Sequence, residues 1–540
     1  MGMNMLHRVL TALLVATSSA AAAPVDTSPV SAQPSAVTLP QHWHRGVFME
    51  IFVRAYQDSD GDGIGDLKGL ISRLDYLKEL GIKGLWLMPI QANADGDHGY
   101  ATRDFRAVAP EYGTLADFDA LLREAGKRGI GVVIDYVVNH SAAQHPLFVE
   151  ARADAKSPWR DWYVFSDTEP LGWDIWGKNP WYANRSQSWT HTGEAKDTPK
   201  AAPGARDFYF GTFGPQMPDF NLRNPAVLAY HEDSLRFWLN RGLAGYRLDA
   251  TPHLVENSAT DWNDLPESRV MTKRLADLIR SYPNRYVVCE ATAKPRDWGD
   301  PQVCGGAFAF GYVPYFVEAA RGKADAVIEL ADYYKTALPT MATFLSNHDI
   351  FAGKRLWDQV GGDTARYKLA AAGYLLQPGT PFVYYGEEVG QAGVHTLAAD
   401  LPLRAPMSWT AQGGFTGGTP FRPHAPNLAT HNAQAQRADR ASIFHFYKAL
   451  IGLRNQRPSI ARGAFEHAFA DGLVLGFQCA LERERTLVLI NYGTEARRVR
   501  VAGLFASSRL ATLHPSRGSA QRGAFVTLPA QSVRVYDVRR

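Results

Sequence analysis

The chain has 540 residues, 46% hydrophobic and 21% charged, with 57 Lys plus Arg against 54 Asp plus Glu and a formal net charge of +3. That composition excludes a collagen, a coiled coil, a disordered tail and a polytopic membrane protein, and it lacks the clustered basic surplus of a nucleic-acid binder. It leaves a large soluble enzyme whose aromatic residues, 11% of the chain, have flat apolar faces and polar edges that suit sugars and cores alike.

Residues 1–23 read as an export signal. Arg8 supplies the positive start, Val9–Ala16 is mostly apolar, and Ser18–Ala23 is a small-residue run suited to cleavage. The apolar stretch is too short to span a bilayer. The expectation is a secreted or periplasmic protein, free of the membrane once the signal is removed, and monomeric. Residues 24–42 read as a Pro/Ser-rich linker. The chain has only three cysteines, Cys289, Cys304 and Cys479, which allow at most one disulfide and have no zinc-site spacing.

From residue 43 apolar strands alternate with amphipathic helices. The spacing predicts a strand at Val47–Val53, a helix over Asp66–Leu80, a strand at Ile82–Met88, a helix over Leu115–Arg128 ended by Gly129, and a strand at Ile130–Asp135. Residues 141–222 lose the rhythm and read as an insertion with its own role. The rhythm returns with a helix over Pro225–Arg241, a strand at Ala244–Asp249, a helix over Arg269–Ser281, and strands at Tyr286–Glu290, Ala307–Phe310, Thr343–Ser346 and Pro381–Tyr385. Eight β–α units with apolar strands predict an α/β protein, a closed (β/α)8 TIM barrel, in two parts at 43–140 and 223–445. Residues 446–540 read as a connecting helix followed by a C-terminal antiparallel β-sandwich. Its predicted strands are Leu473–Gln478, Thr486–Asn491, Arg498–Val501, Ser508–Leu513 and Ser532–Val538.

Four strand ends carry polar residues that a purely structural strand does not need: Asp135 to Asn139 and His140, Arg247 and Asp249, Glu290, and Asn347-His348-Asp349. One such acid alone is more often a turn former or a helix cap. Four acids, two histidines and an arginine at one end of one barrel converge on one cleft, where burial without a use is costly. Paired carboxylates drift apart in pKa, so that one serves as base or nucleophile and the other as acid, the requirement of glycoside hydrolysis. Arg247 lies two residues before Asp249 on one strand, so both side chains point to the same face.

At these residues the sequence resembles the α-amylase family, glycoside hydrolase family thirteen. DYVVNH (135–140), GYRLDA (245–250), VVCEA (287–291) and FLSNHD (344–349) occur in the family's order, supported by GIKGLWLMPI (81–90), HGY (98–100), MPDFN (217–221) and GTPFVYYGEE (379–388). The resemblance implies Asp249 as nucleophile, Glu290 as acid/base and Asp349 as the third carboxylate that grips substrate hydroxyls. It also implies Arg247 as the group that keeps Asp249 ionised, and Tyr100, His98, His140 and His348 as substrate-binding residues. Asp135 is implied as structural support, residues 141–222 as the inserted domain B and the last segment as domain C.

Acids at alternate positions in Asp58, Asp60, Asp62 and Asp66, with Gly63 at the turn, form a loop of hard oxygen donors suited to Ca²⁺; Ile64 would add its backbone carbonyl. The loop departs from an EF-hand, because its twelfth position is Gly69. Several family members carry such a loop, and the resemblance adds a second calcium position at Asn139.

Family membership leaves the reaction open. The expected function is a secreted, retaining hydrolase of α-1,4-glucosidic bonds in starch or maltooligosaccharides. The alternative is an α-glucosidase or a maltose-converting transglycosylase of trehalose-synthase type. MPDFN lies between oligo-1,6-glucosidase and neopullulanase patterns. Pro252-His253 stands where many α-amylases have Lys-His, and LDATPHLVEN with NDLPES (263–268) resembles trehalose synthases. RAPMSW (404–409) with GGFTGGTPFRPHAPN (413–427) resembles a loop of α-glucosidases and trehalose synthases as well as of some secreted amylases.

Overall fold

The computed structural model describes residues 24–33, 39–184, 207–515 and 521–539. The export-signal reading falls on residues 1–23, outside the described residues. No helix among those described is long and apolar enough to cross a membrane.

Eight parallel strands close into a barrel. In chain order they are β1 (Phe48–Ile51), β2 (Gly84–Leu87), β3 (Gly131–Val137), β4 (Gly245–Asp249), β5 (Tyr286–Cys289), β6 (Ala307–Phe308), β7 (Met341–Thr343) and β8 (Thr380–Tyr384). Every residue of these strands is buried, as expected of strands with helices outside and side chains packed within. The interior is aromatic. Phe48 lies 4.8 Å from Phe382, Phe382 4.9 Å from Phe308, and Phe308 5.2 Å from Trp86, centroid to centroid. Glycines open β2 and β3 for these rings. A Cβ on Gly84 would come within 2.4 Å of the Phe48 ring, and one on Gly131 within 2.3 Å of Trp43.

Three local differences from the sequence reading have physical causes. The helix over 66–80 is two helices, Leu67–Ser72 and Leu74–Leu80, broken at Arg73. The Arg73 guanidinium lies 4.1 Å from the Trp409 ring and donates to Gln57 Oε1 at 2.7 Å, which holds the chain at the break. Strand β7 lies two residues earlier than predicted. Its last pair is Thr343 with Pro381, which has no N–H to carry the ladder on, and Phe344 to Ser346 already belong to the loop. The third difference is a strand at Ala464–Asp471 that sequence missed. It is half-exposed, and its alternation is broken by a register shift between Glu466 and Phe469.

Between β3 and β4 the chain leaves the barrel and forms a three-stranded antiparallel sheet from Phe165–Ser166, Phe208–Phe210 and Trp181–Ala183. After helix Ile443–Gln456 comes a six-stranded antiparallel sheet. The pair Arg497–Arg500 and Phe525–Leu528 packs on it through Leu487, Leu489, Val499, Val526 and Leu528. Cys289 and Cys304 form a disulfide, and Cys479 is free and buried.

Glu387 and Glu388, just after β8, are fully buried. Glu387 accepts from Tyr374 at 2.6 Å, Tyr447 at 2.7 Å and Ser346 at 3.2 Å, so it ties the β8 loop to the loop carrying His348 and Asp349. Burial pushes its carboxyl up to about 7 from the usual 4.5. The folded state keeps a proton that the unfolded chain loses near 4.5, so this contribution is complete below 4.5 and disappears as pH rises through 7. The urea midpoint of the protein is therefore expected to fall between about pH 4.5 and 7.5, and to fall less in Glu387→Gln, by about 2–3 kcal/mol of unfolding free energy. Parallel curves for the two proteins would contradict this.

Candidate active site

The site lies at the C-terminal ends of the strands. Arg247 on β4 is 1% exposed and is its centre. Its Nη1 donates to Asp135 Oδ1 at 2.9 Å and to Asp249, while Nη2 lies 3.0 Å from Glu290 Oε2. One guanidinium thus touches both members of the carboxylate pair, which face each other across the β4–β5 boundary. Glu290 Oε2 also accepts from the Ala250 backbone N–H at 3.0 Å, and Ala250 holds a left-handed φ of 46° directly after Asp249. Asp135, on β3, accepts from Trp86 Nε1 at 3.2 Å and from the Tyr100 hydroxyl at 2.8 Å. It orients Arg247 and Tyr100 from below.

His348 is fully buried, with both ring nitrogens engaged. Nδ1 is 2.6 Å from Glu50 Oε1; Nε2 is 2.7 Å from the Tyr100 hydroxyl and 3.2 Å from Asp349 Oδ2. Tyr100 stacks on His348 with centroids 5.5 Å apart. The sequence reading gave His348 to sugar hydroxyls, but in this arrangement its ring positions Tyr100 and Asp349. His140 is 1% exposed, and its ring lies against the Tyr100 backbone at the floor of the site. His98 pairs with Asp95 at 3.3 Å beside Tyr100.

Burial dominates the electrostatics. It pushes Asp249 well above the usual carboxylate range; Glu290 and Asp135 add to the rise and Arg247 opposes it. Burial raises Asp135 to about 6 against the pull of Arg247. Burial and Glu290 raise Asp349 to about 7, opposed by Arg404 and Arg247. Glu50 is raised by burial and by Asp349. Burial drives His140 down to about 3 and His348 well below its usual value, so both imidazoles are neutral and can donate or accept. A carboxylate cluster that shares protons around one fixed cation suits acid/base and nucleophilic work on a neutral ligand.

One side of the cluster is closed by ion pairs that the sequence did not reveal. Arg404, 3% exposed, lies 3.6 Å from Asp349, 3.3 Å from Asp97 and 3.4 Å from Asp400, and its Nε donates to the His348 carbonyl at 3.1 Å. Arg422 donates to Asp97 Oδ1 at 2.8 Å and to the Arg404 carbonyl at 3.1 Å. Loops following β2, β7 and β8 are thereby locked together against Asp349. On the opposite side His253 stacks on Trp262 at 5.6 Å, and Trp176, 60% exposed, packs edge-on against both. Trp176 comes from the insertion and overhangs the mouth. The sequence held a signal for two of these groups: Asp97 flanks HGY, and Arg404 opens RAPMSW. Nothing in it pairs two residues 307 apart.

In the acidic loop, carboxylate oxygens of Asp58, Asp60 and Asp66 lie within 4.8 Å of one another. Gly61 and Gly63 take positive φ to bring them there. Asp62 lies beside this trio, and its Oδ1 accepts from the Ile64 N–H at 2.7 Å. Asp66 also caps the following helix through Gly69 N–H at 2.8 Å. Asn139 has its carbonyl bound by Phe220 N–H at 2.9 Å, and its side chain neighbours buried Asp219 from the insertion. Thr212 holds that carboxylate at 2.6 Å, and Glu256 interacts with it electrostatically.

Comparison with known proteins agrees with this geometry. The catalytic-domain pattern of the α-amylase family matches residues 50–463. The chain is 34% identical over 476 residues to the trehalose synthase/amylase TreS of Mycobacterium tuberculosis, covering 79% of this chain and 77% of that protein. It is 27% identical over 582 residues to an oligo-1,6-glucosidase of Parageobacillus thermoglucosidasius, covering 92% and 99%. Among solved structures, the α-glucosyl transfer enzyme XgtA matches with a TM-score of 0.79 at 25% identity, covering 93% of this chain and all of that one.

Proposed function

The chain belongs to the α-amylase family, glycoside hydrolase family thirteen, and from that premise we propose that it processes short α-glucosides such as maltose, as an α-glucosidase or a maltose-converting transglycosylase. The observation that carries this reading is the ion-paired wall of Arg404, Asp97, Asp400 and Arg422 built against Asp349. A long glucan needs a cleft open at both ends, whereas a wall beside the carboxylates favours a terminal glucosyl unit. The relatives' names point the same way: a trehalose synthase/amylase, an oligo-1,6-glucosidase and a glucosyl transfer enzyme. Of the two readings drawn from sequence, the short-substrate alternative is thus better supported than the starch hydrolase. Residues 1–23 keep export as part of the proposal.

In this reading Asp249 attacks the anomeric carbon as Glu290 donates a proton to the glycosidic oxygen. The aglycone leaves and a glycosyl ester remains on Asp249. Glu290, now ionised, takes a proton from water or from a sugar hydroxyl, whose oxygen displaces Asp249 with net retention. Arg247 favours the anionic form of Asp249 between the two steps. Asp349 and the neutral His140 hold ring hydroxyls, and Tyr100 offers an aromatic face. His253, Trp262 and Trp176 form the wall on which an acceptor sugar can rest.

Chromatography of the products from maltose and from soluble starch tests the proposal. Maltose should be consumed, giving glucose or an isomeric disaccharide, with starch viscosity almost unchanged. Rapid viscosity loss with maltose untouched would overturn it.

We further propose that Asp58, Asp60 and Asp66 hold Ca²⁺, the cation that hard carboxylate oxygens at this separation suit. Asn139, Asp219 and Glu256 are candidates for a second ion. A calcium ion at the first site would stabilise the loop after β1. A chelator should lower the melting temperature, added CaCl₂ should restore it, and Asp58→Asn should reduce the calcium-dependent rise. Melting temperatures indifferent to calcium would reject both sites.

A further inference from the structure

We propose that Trp176 decides the fate of the glucosyl unit carried by Asp249: it holds the cleaved-off sugar in the cleft, so that the unit passes to a sugar hydroxyl rather than to water. This role rests on the short-substrate site and the retaining mechanism proposed above. Trp176 sits at the tip of a hairpin in the insertion. The Ile175 N–H donates to the Lys178 carbonyl at 2.8 Å, and the Lys178 N–H donates back to the Ile175 carbonyl at 3.0 Å, which leaves Trp176 and Gly177 as the two turn residues. Their φ values are 51° and 80°. Positive φ at both positions marks a type I′ turn, which favours Asn, Asp or Gly at its first position. Left-handed backbone under a bulky side chain is costly, and it concentrates at ligand-binding sites. The same loop hides its other large residues. Ile175 is buried and Trp173 packs on Phe210 at 5.1 Å, whereas Trp176 is turned out to solvent.

The Trp176 ring lies on the side of the cleft where a leaving sugar sits. It is 5.4 Å from His253, 5.7 Å from Trp262 and 5.8 Å from Phe213, centroid to centroid, and Phe213 in turn is 5.2 Å from His140. The Glu290 charge acts on His253. These rings therefore stand beside the acid/base and the glycosidic oxygen that it protonates, while the ion-paired wall stands against Asp349. Trp176 is the most exposed of the four rings. Covering an open indole face with the C–H face of a sugar is favourable in water, so the released sugar dwells there. After the first step Asp249 carries the glucosyl ester. If the sugar stays, one of its hydroxyl oxygens attacks the anomeric carbon, its proton passes to Glu290, and the ester C–O bond breaks to return the Asp249 carboxylate. If the sugar leaves, water takes the same course and glucose is released.

The test supplies α-glucosyl fluoride as donor and glucose as acceptor. Fluoride released counts the glucosyl units that enter, and disaccharide formed counts those transferred. The wild-type protein should form disaccharide, Trp176→Asn should lower the ratio of transfer to hydrolysis about tenfold, and Trp176→Phe should recover most of it. Fluoride release without acceptor should stay within about twofold of wild type in both variants, because the first step on this donor needs no aglycone sugar. The melting temperature of Trp176→Asn should equal or exceed that of wild type, because Asn suits the turn. A wild-type ratio in Trp176→Asn, no transfer by the wild-type protein, or a loss of fluoride release and melting temperature that accompanies the loss of transfer would overturn the role. Maltose left untouched while the fluoride is partitioned as expected would support the role and fail the short-substrate reading alone.

Discussion

Glu290→Gln should lower turnover on maltose by about 10²–10⁴-fold, the range that a positioned acid/base contributes. Gln keeps the size of Glu, and its amide oxygen can still accept from the Ala250 N–H and from Arg247. Fold and substrate affinity should therefore change little. The lost function is the proton, required by the leaving glycosidic oxygen. An α-glucosyl fluoride, whose leaving group needs no proton, should recover most of the first step in the variant. Equal losses on both substrates would mean that Glu290 acts through structure, and unchanged turnover on maltose would remove it from the mechanism.

Arg404→Ala should have the second largest effect. The guanidinium is buried and bridges Asp97, Asp349 and Asp400, so its removal leaves three carboxylates facing one another. Breaking a buried pair of this kind typically costs about 3–5 kcal/mol. Part of that cost should appear as a loss of stability, and part as a fall of about 10²-fold in kcat/KM on maltose. The wall is removed as well, so activity on longer maltodextrins should fall less, and the ratio of maltodextrin to maltose activity should rise. Arg404 also holds down the carboxyl of Asp349. Without it Asp349 ionises at higher pH, and the acid limb of the rate profile should move upward. Arg404→Lys should restore the pH profile more than the maltose preference. An unchanged substrate ratio in folded Arg404→Ala would show that the wall does not set chain length.

The parts of the molecule legible in sequence are those with a local cause. Apolar runs such as VVIDYVV and GYRLD mark strands because both faces are covered, and acids at their ends mark the cleft because the C-terminal ends of all eight strands meet there. Weaker strands were harder to read: β6 has two residues, β7 ends against a proline, and Ala464–Asp471 alternates poorly. The site itself was half legible. Asp249, Glu290, Asp349, Arg247 and Asp135 stood out because burying them needs a reason. Glu50 did not, since a single acid inside FMEI gives no sign that His348 lies against it. The wall was hidden for the same reason. Asp97, Asp400, Arg404 and Arg422 are ordinary loop charges until the barrel brings their loops together.

Covalent trapping tests the central claim most directly, that Asp249 and Glu290 work on one sugar from opposite sides. A glucosyl fluoride slowed by fluorination of its ring should accumulate an ester when incubated with the Glu290→Gln protein. Peptide mapping should then find one glucosyl residue on Asp249, and products formed by the wild-type protein should retain the α-configuration. A label on another residue, or products of inverted configuration, would contradict the account.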